Sequence, residues 1–413
     1  MKVILVGGGI VGISTAYYLL RSGHEVVVVD GSDLLDGCSF GNAGMVVPSH
    51  IVPLASPGMI ARGIRWMFRS DSPFFIKPRL SADLLRWGWQ FYRHSNHRHV
   101  QRAAPALKAL SLLSKNLYCA LAAELPFAFG YTERGLLMLY RSAEAEQEEA
   151  EAARFANALG LEARVLSAGQ VQQLEPHVAV SVRGGVYYPG DAHLVPHKLM
   201  QQWIPYLAER GVRFISGEEV QDFKVKAGRI VCVCTEKQEL TADEVVLSAG
   251  AWSGNVARRL GINIPMQAGK GYSFLTGHNT LPVTIPAILL EDRVAVTPMG
   301  DEVRLGGTME ITGLDLQINM KRVHAIARAI PRYYPKAQIN FPPPETVWSG
   351  LRPCPPDGLP YIGRTRRYKN LVLATGHAMM GLSLAPATGK LVSQIINGEE
   401  TAVPVDPFSP DRF

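Results

Sequence analysis

Three groups of residues in this 413-residue chain have the types and spacing to do chemistry. The first is Gly7-Gly8-Gly9-Ile10-Val11-Gly12, followed eighteen residues later by Asp30. Gly7 permits a tight turn, Gly9 lets main chain approach a pyrophosphate, and Gly12 lets a helix pack closely on a strand. Ile10 and Val11 open a helix whose free amides and partial positive charge face the phosphates. Asp30 is placed to accept hydrogen bonds from a ribose. An acid at that point repels a 2′-phosphate, which disfavours NADP and leaves FAD or NAD. The second group begins at Gly376 and contains His377, Met379, Met380, Gly381, Leu382 and Ser383. It follows a strand and opens a helix, so a second helix end points at an anionic or electron-accepting group. A reduced flavin carries negative charge near N1 and C2=O and gains from such an end, whereas a nicotinamide does not, which tips the ligand to FAD. The third is Arg352, bracketed by glycines and prolines in Gly350–Gly363 and read as the entry of a rigid turn. Its guanidinium can hold a carboxylate bidentately.

The elements that must position these groups are readable from periodicity. Lys2–Val6 and Glu25–Val29 are apolar and β-branched, as buried strands are, and Ile13–Leu20 is helical in pattern. After Asp30 the chain is irregular to about Leu80, too long for a plain linker. Ser39, Asn42, Ala43 and Gly44 lie there, and small residues let main chain approach a flat ligand. His50, in the Pro48–Pro57 loop, is a candidate pocket residue. Met59–Phe75 alternates arginines with Ile, Trp and Phe. That composition fits either an anionic membrane surface or a short packed helix, and Pro73 and Pro78 favour the second.

Helices are expected over Ser81–Ser95, Arg98–Leu125, Ala143–Leu159, Pro196–Arg210, Met320–Tyr334 and Leu384–Asn397. Strand patterns occur in Phe127–Tyr140, Gly184–Gly190, Val212–Ser216, Glu244–Leu247, Lys270–Thr276, Arg293–Pro298, Glu302–Gly307 and Leu371–Ala374, with a hairpin about Ala227-Gly228. Ala249, Gly250 and Trp252 follow the Glu244–Leu247 strand, where small residues suit passage under a cofactor. Parallel βα units therefore occur at the start, near 196–250 and at 371–397, with antiparallel-looking sequence between. The fold class is α/β with an α+β second domain. A Rossmann nucleotide domain (1–80, 190–255 and 345–413) interleaves with a mixed or antiparallel substrate domain (81–189 and 256–344).

Composition narrows the function classes. With 47% hydrophobic and 19% charged residues the chain can bury a large core. The net charge of +6 is mild and spread out, so nucleic acid is not implied, while an anionic substrate or membrane surface is compatible. Five cysteines without a Cys-x-x-Cys argue against a disulfide framework and a zinc site, no metal is expected, and a reducing compartment fits. The first residues run straight into a strand, and no apolar run reaches the ~18 residues of a bilayer span. A cytoplasmic protein is expected, with peripheral contact on the inner face of the cytoplasmic membrane left open.

Taken in order, the opening fingerprint, Ser39–Gly44, Asp191-Ala192-His193, Lys270-Gly271-Tyr272, Gly350–Gly363 and Gly376–Gly389 resemble bacterial D-amino acid dehydrogenases. These belong to the FAD-dependent D-amino acid oxidase superfamily, with glycine oxidase and sarcosine oxidase as relatives, and the resemblance runs end to end. It implies a glutathione-reductase-type FAD domain and a substrate domain whose sheet roofs the flavin. It puts Arg352 on the substrate carboxylate, Tyr272 on the substrate side and the Val220 backbone at the adenine. Gly350 stands where the sarcosine oxidase branch carries its flavin-bearing cysteine, so the FAD is expected to be non-covalent. The implied activity is deamination of a D-amino acid to a 2-oxo acid and ammonia, by hydride transfer from Cα to flavin N5, with electrons passing to a quinone or other acceptor. The loop with Ser49, His50 and Pro53 hints at D-proline or hydroxy-D-proline. Two other readings stay open: an O₂-using oxidase of glycine, sarcosine or D-amino acids, and a flavoprotein subunit that only transfers electrons.

Overall fold

The computed structural model describes residues 1–61, 63, 74–77, 79 and 81–413. Most of Met59–Phe75, read above as a membrane-facing or packed segment, lies outside the described residues.

Two large sheets organise the chain. The first has six strands in the order Tyr361–Arg364, Leu371–Thr375, Glu244–Leu247, Lys2–Val6, Glu25–Asp30 and Arg213–Ser216. All pair in parallel except the antiparallel edge strand Tyr361–Arg364. Strands in a covered parallel sheet are buried on both faces, which is why Val26–Val29 and Leu371–Ala374 are continuously apolar. Helices Ile10–Arg21 and Gly381–Asn397 pack together beneath it. A Cβ on Gly389 would lie 2.6 Å from the Ser14 carbonyl carbon, so the two backbones touch only because that residue is glycine. Helix His97–Glu124 joins them, and the Tyr118 hydroxyl donates to the Leu382 carbonyl at 2.7 Å. Strands Val220–Lys226, Arg229–Thr235 and Glu239–Thr241 form a small antiparallel sheet. Its first turn has Ala227 at φ 51° and Gly228 at φ 74°, the left-handed pair that a tight hairpin demands.

The second sheet has nine strands. Its main path is Trp348–Cys354, Gln267–Gly277, Glu302–Ile311, Val294–Pro298, Ala287–Leu289, Leu136–Tyr140, Gly184–Tyr188 and Arg164–Ser167, with Phe74–Ile76 paired to Glu302–Ile311. Helix Met320–Tyr333 covers one face, packing Val323, Ile326 and Ile330 on Phe274 and Leu305.

Three elements differ from the sequence reading. Trp348–Cys354 is an edge strand of the second sheet rather than a turn of the nucleotide domain. Pro353 is tolerated because it lies on an edge, where a missing amide need not break a ladder. Phe74–Ile76 also joins the second sheet, although residues 1–80 read as nucleotide domain. The last helix starts at Gly381, after a 3₁₀ turn over Ala378–Met380. Among the described residues, no helix is long and apolar enough to cross a membrane.

Candidate functional site

A cavity of about 750 Å³ separates the carboxyl ends of the first sheet from one face of the second. Ligands of open parallel sheets bind at this position. Val6, Gly7, Ala249, Gly250, Ala374 and Thr375 line one wall, and Ser273, Gly306, Thr308 and Gly350 line the other.

The nucleotide end is built by the opening motif. Gly7 has φ 112°, and a Cβ there would lie 2.5 Å from Ser248 main chain. Gly9 borders the cavity and caps the helix, and its nearest protein neighbour would be Ser39 Oγ at 3.4 Å. Ile10 and Val11 also border the cavity, and the Ile10 amide donates to Ser39 Oγ at 2.9 Å. Gly12 does not reach it. A Cβ on Gly12 would meet the Gly7 carbonyl at 2.0 Å, so this glycine serves helix–turn packing alone. Asp30 borders the cavity, and its Oδ2 accepts from the Gly8 amide at 2.6 Å. Its Oδ1 accepts from the Ser32 amide and hydroxyl at 2.8 Å each. Oδ1 is filled by these two bonds, but Oδ2 keeps a second acceptor direction, so Asp30 can lock the turn and still meet a ribose. Glu218, Glu219 and Val220 line the same end, and the Arg259 guanidinium donates to the Val220 carbonyl. Ala249, Gly250 and the half-exposed Trp252 complete it.

In the middle, Ser39, Asn42 and Ala43 border the cavity, and Asn42 Oδ1 accepts from the Gly44 amide at 2.9 Å. Gly44 itself does not. It has φ 78°, and a Cβ there would sit 2.3 Å from the Leu194 carbonyl. Trp348 went unnoticed in the sequence. Its ring lies where a Cβ on either Gly41 or Gly350 would come within 2.0 Å, and its buried Nε1 has no partner among the described residues. A tryptophan two residues before Gly350, hence on the same face of a strand, was the available signal.

His377, Met379, Met380, Gly381 and Leu382 border the opposite end, with Gly381 the first residue of its helix. Ser383 does not border it. Its buried Oγ accepts from the Val47 amide at 2.9 Å and holds the neighbouring loop. His377 Nε2 pairs with Thr388 Oγ1 at 2.9 Å, and burial pushes the imidazole down to about 3. It is neutral at working pH.

Arg352 sits on the second sheet, facing the cavity. Its Nη1 donates to the Thr308 carbonyl at 2.8 Å and overlies Gly271, where a Cβ would lie 2.2 Å away. Thr308 has φ 68° at a bulge, where Gly307 pairs with Tyr272 but Glu310 pairs with Lys270. The groups that perturb Arg352 are the thiols of Cys38 and Cys354, and burial lowers its pKa from the ordinary arginine value. Burial in turn raises Cys38 and pushes Cys354 up to about 12. Among the described residues no carboxylate pairs with Arg352. An arginine stays charged in proteins, so the site lacks a counter-ion of its own.

His50 borders the cavity beside Leu54. Its Nδ1 lies 3.2 Å from Ser49 Oγ, which donates to Asp191 Oδ2 at 2.5 Å. Burial pushes His50 down to about 4 and Asp191 up to about 7.

Tyr272 sits between the cavity and the core. It borders the cavity, but its ring belongs to the core under helix Met320–Tyr333. Its hydroxyl donates to Glu310 Oε1 at 3.0 Å and accepts from the Asn319 amide at 3.2 Å. Alternation along Gln267–Gly277 explains this: a Cβ on Gly271 would meet the Arg352 guanidinium and Ser273 borders the cavity, so the Tyr272 side chain leaves the strand on the other face.

The donor set fits FAD on geometry. Two helix starts, glycines that keep main chain bare and an unpartnered indole N–H line one continuous cavity. Among the described residues, no cluster of three His, Cys, Asp or Glu could hold a metal.

Comparison with known proteins agrees. The family model described as "FAD dependent oxidoreductase", DAO, matches residues 2–395. The D-amino acid dehydrogenase of Granulibacter bethesdensis is 32% identical over 410 residues, covering 97% of this chain and 96% of that protein. That of Methylobacterium nodulans is 33% identical over 432 residues, covering 100% and 99%. The crystal structure of glycine oxidase from Geobacillus kaustophilus shares the fold, with a TM-score of 0.81, 23% identity and coverage of 100% and 99%.

Proposed function

This chain belongs to the DAO family of FAD-dependent oxidoreductases, and from that membership we propose that it is a D-amino acid dehydrogenase. It converts a D-amino acid to a 2-oxo acid and ammonia and hands the electrons to a quinone or another acceptor. Bound FAD supplies the two-electron acceptor for the hydride that leaves Cα.

The observation that carries this reading is Arg352, a cavity-lining guanidinium without an acidic partner among the described residues. A substrate carboxylate meets that need with a bidentate pair. The Thr308 carbonyl fixes one side of the guanidinium and leaves its remaining donors for the substrate. Met138, Ile288, Ala295, Met309 and Leu316 line the cavity and keep water from the reacting carbon. His50 and His377 are neutral, so no positive imidazole competes with Arg352 for the carboxylate. The amine enters uncharged, and the residues have only to orient it, which can supply roughly 7–11 kcal/mol of the barrier. Gly350 offers no nucleophile, so FAD is held non-covalently. His50, in the compact Pro48–Pro57 loop, favours a cyclic substrate such as D-proline or hydroxy-D-proline, whose oxidation gives a cyclic imine and releases no ammonia.

The test is an anaerobic panel of D-, L- and cyclic amino acids, read as bleaching of the bound flavin. Bleaching by D-amino acids is expected, fastest with cyclic ones, and silence across the panel overturns the assignment. Reduction of a quinone or dye without peroxide formation in air separates a dehydrogenase from an oxidase.

A further inference from the structure

Helix Ala82–His94 is apolar on two sides. Its inner side holds Trp87, 5% exposed, whose Nε1 donates to the Cys354 carbonyl at 2.8 Å. Leu84 and Phe91 pack with it against Met309 and Ile311. Its outer side shows Leu85, Trp89 and Tyr92, which are 70%, 61% and 62% exposed. Spacings of four and three place these three on one stripe, and the Trp89 and Tyr92 rings stack at 5.9 Å. Scattered exposed apolar residues are ordinary, but a stripe of large ones at helical spacing marks a contact surface.

Among the described residues of this helix and the start of the next, the arginines beside the stripe outnumber the acids. Arg86 and Arg93 are exposed, each one position on from a stripe residue, and Arg98 is exposed at the start of the next helix. Asp83 is the helix's single acid, and it is ion-paired with Arg258 at 3.1 Å. Trp and Tyr prefer the water–lipid boundary, where an apolar body and a polar tip are both satisfied. Arginines flanking such a stripe are attracted to anionic headgroups.

We propose that the outer face of helix Ala82–His94 docks this enzyme on an anionic phospholipid surface. This is a different element from the Met59–Phe75 stretch singled out in the sequence. The helix that meets the lipid also buttresses Cys354, two residues from Arg352 on the same strand. Docking therefore brings the substrate-binding sheet to the bilayer, where a lipid-soluble acceptor resides. That consequence, though not the docking itself, rests on the dehydrogenase reading.

Flotation of the FAD-loaded full chain tests the proposal, using vesicles of mixed phosphatidylglycerol and phosphatidylcholine against pure phosphatidylcholine. The wild type is expected to float with the anionic vesicles and stay behind with the neutral ones. Arg86→Gln and Arg93→Gln should each weaken binding about fivefold at low salt. Leu85→Ser with Trp89→Ser should abolish it, and turnover with a soluble dye should stay at wild-type level in every variant. Three outcomes overturn docking: a wild type that ignores anionic vesicles, variants that float equally well, or a stripe that instead pairs two chains, seen as a dimer split by Trp89→Ser without vesicle binding. The dye assay separates the two readings. A chain that floats but oxidises no D-amino acid keeps the docking and loses the dehydrogenase assignment, and the reverse result loses the docking alone.

Discussion

Arg352 Nη1 and the Thr308 carbonyl are joined by a 2.8 Å hydrogen bond, and Thr308 holds φ 68°, a backbone that β-branched residues rarely adopt. The bulge in Glu302–Ile311 produces both facts at once, because the extra residue turns the carbonyl toward the cavity. Strain of this kind persists where the surroundings over-determine it, often at functional sites. Arg352→Lys keeps the charge and loses the fork. We expect kcat/KM for a D-amino acid to fall about 30- to 1000-fold, mostly through KM, for a loss of about 2–4 kcal/mol. Thr308→Gly keeps the carbonyl and relieves the backbone, so its KM should stay near wild type. Steady-state kinetics with a reducible dye decide the matter, and an unimpaired Arg352→Lys enzyme removes Arg352 from the carboxylate.

The glycines of the opening motif should separate into two kinds. Gly9→Ala has room within the protein, since its nearest neighbour would be Ser39 Oγ at 3.4 Å. Its methyl group can collide only with a ligand. A folded protein that has lost its flavin is expected, seen as a normal melting transition without the absorbance near 450 nm. Gly12→Ala drives a Cβ to 2.0 Å from the Gly7 carbonyl and should impair folding itself. Full flavin content in purified Gly9→Ala would place the pyrophosphate elsewhere.

Tyr272→Phe discriminates between a substrate contact and a structural post. The hydroxyl lies between Glu310 and the Asn319 amide, and Glu310 keeps its ion pair with Arg322 at 3.1 Å when the hydroxyl is removed. The expected effect is a stability loss of about 1 kcal/mol in denaturant titration, with kcat and KM little changed. A large KM effect at unchanged stability would return Tyr272 to the substrate side.

What was legible in the sequence followed local rules. Lys2–Asp30 showed its strand, turn and helix because a parallel strand is apolar throughout and a phosphate turn needs glycine at fixed offsets. Ala227-Gly228 announced its hairpin for the same local reason. Arg352 was found from its glycine and proline bracket, but its element was misread. Whether Gly350–Cys354 is turn or strand depends on Ala268 and Gly269 across the ladder, some eighty residues away in sequence. The direction of the Tyr272 side chain was not legible, because alternation gives two faces without saying which one meets the ligand. Ser383 and Gly44 were assigned to the cofactor by proximity to motif residues, whereas their contacts are with Val47 and Leu194, and Gly12 has the close-packing role its place in the motif implied. Trp348 was missed because its partners, Gly41 and Gly350, meet only when the two sheets close on each other.

Buried imidazoles set the expected response to acid. Burial pushes His50, His193 and His197 down to about 4 and His377 down to about 3. The unfolded chain protonates these groups near their ordinary value of about 6.5. Between those limits the unfolded state binds more protons, so stability falls as pH drops from about 6.5 toward 4. Asp191 and Glu149 act with the opposite sign. Burial raises both to about 7, so their contribution is full at low pH and is lost as pH rises through 7. Burial also lowers His99 and raises Glu175 and Asp292, so five imidazoles stand against four carboxyls, and the melting temperature of the FAD-loaded protein should peak near neutrality and drop on the acid side. His193 is the clean probe, because it is buried away from the cavity lining and its Nδ1 has no partner among the described residues. His193→Gln should flatten the acid limb without changing KM, and Asp191→Asn, which removes a group whose contribution falls as pH rises from about 4 to 7, should steepen that limb. If His193→Gln melts with the wild-type acid slope, that imidazole is not held neutral in the fold, and the acid sensitivity has to come from carboxylates instead.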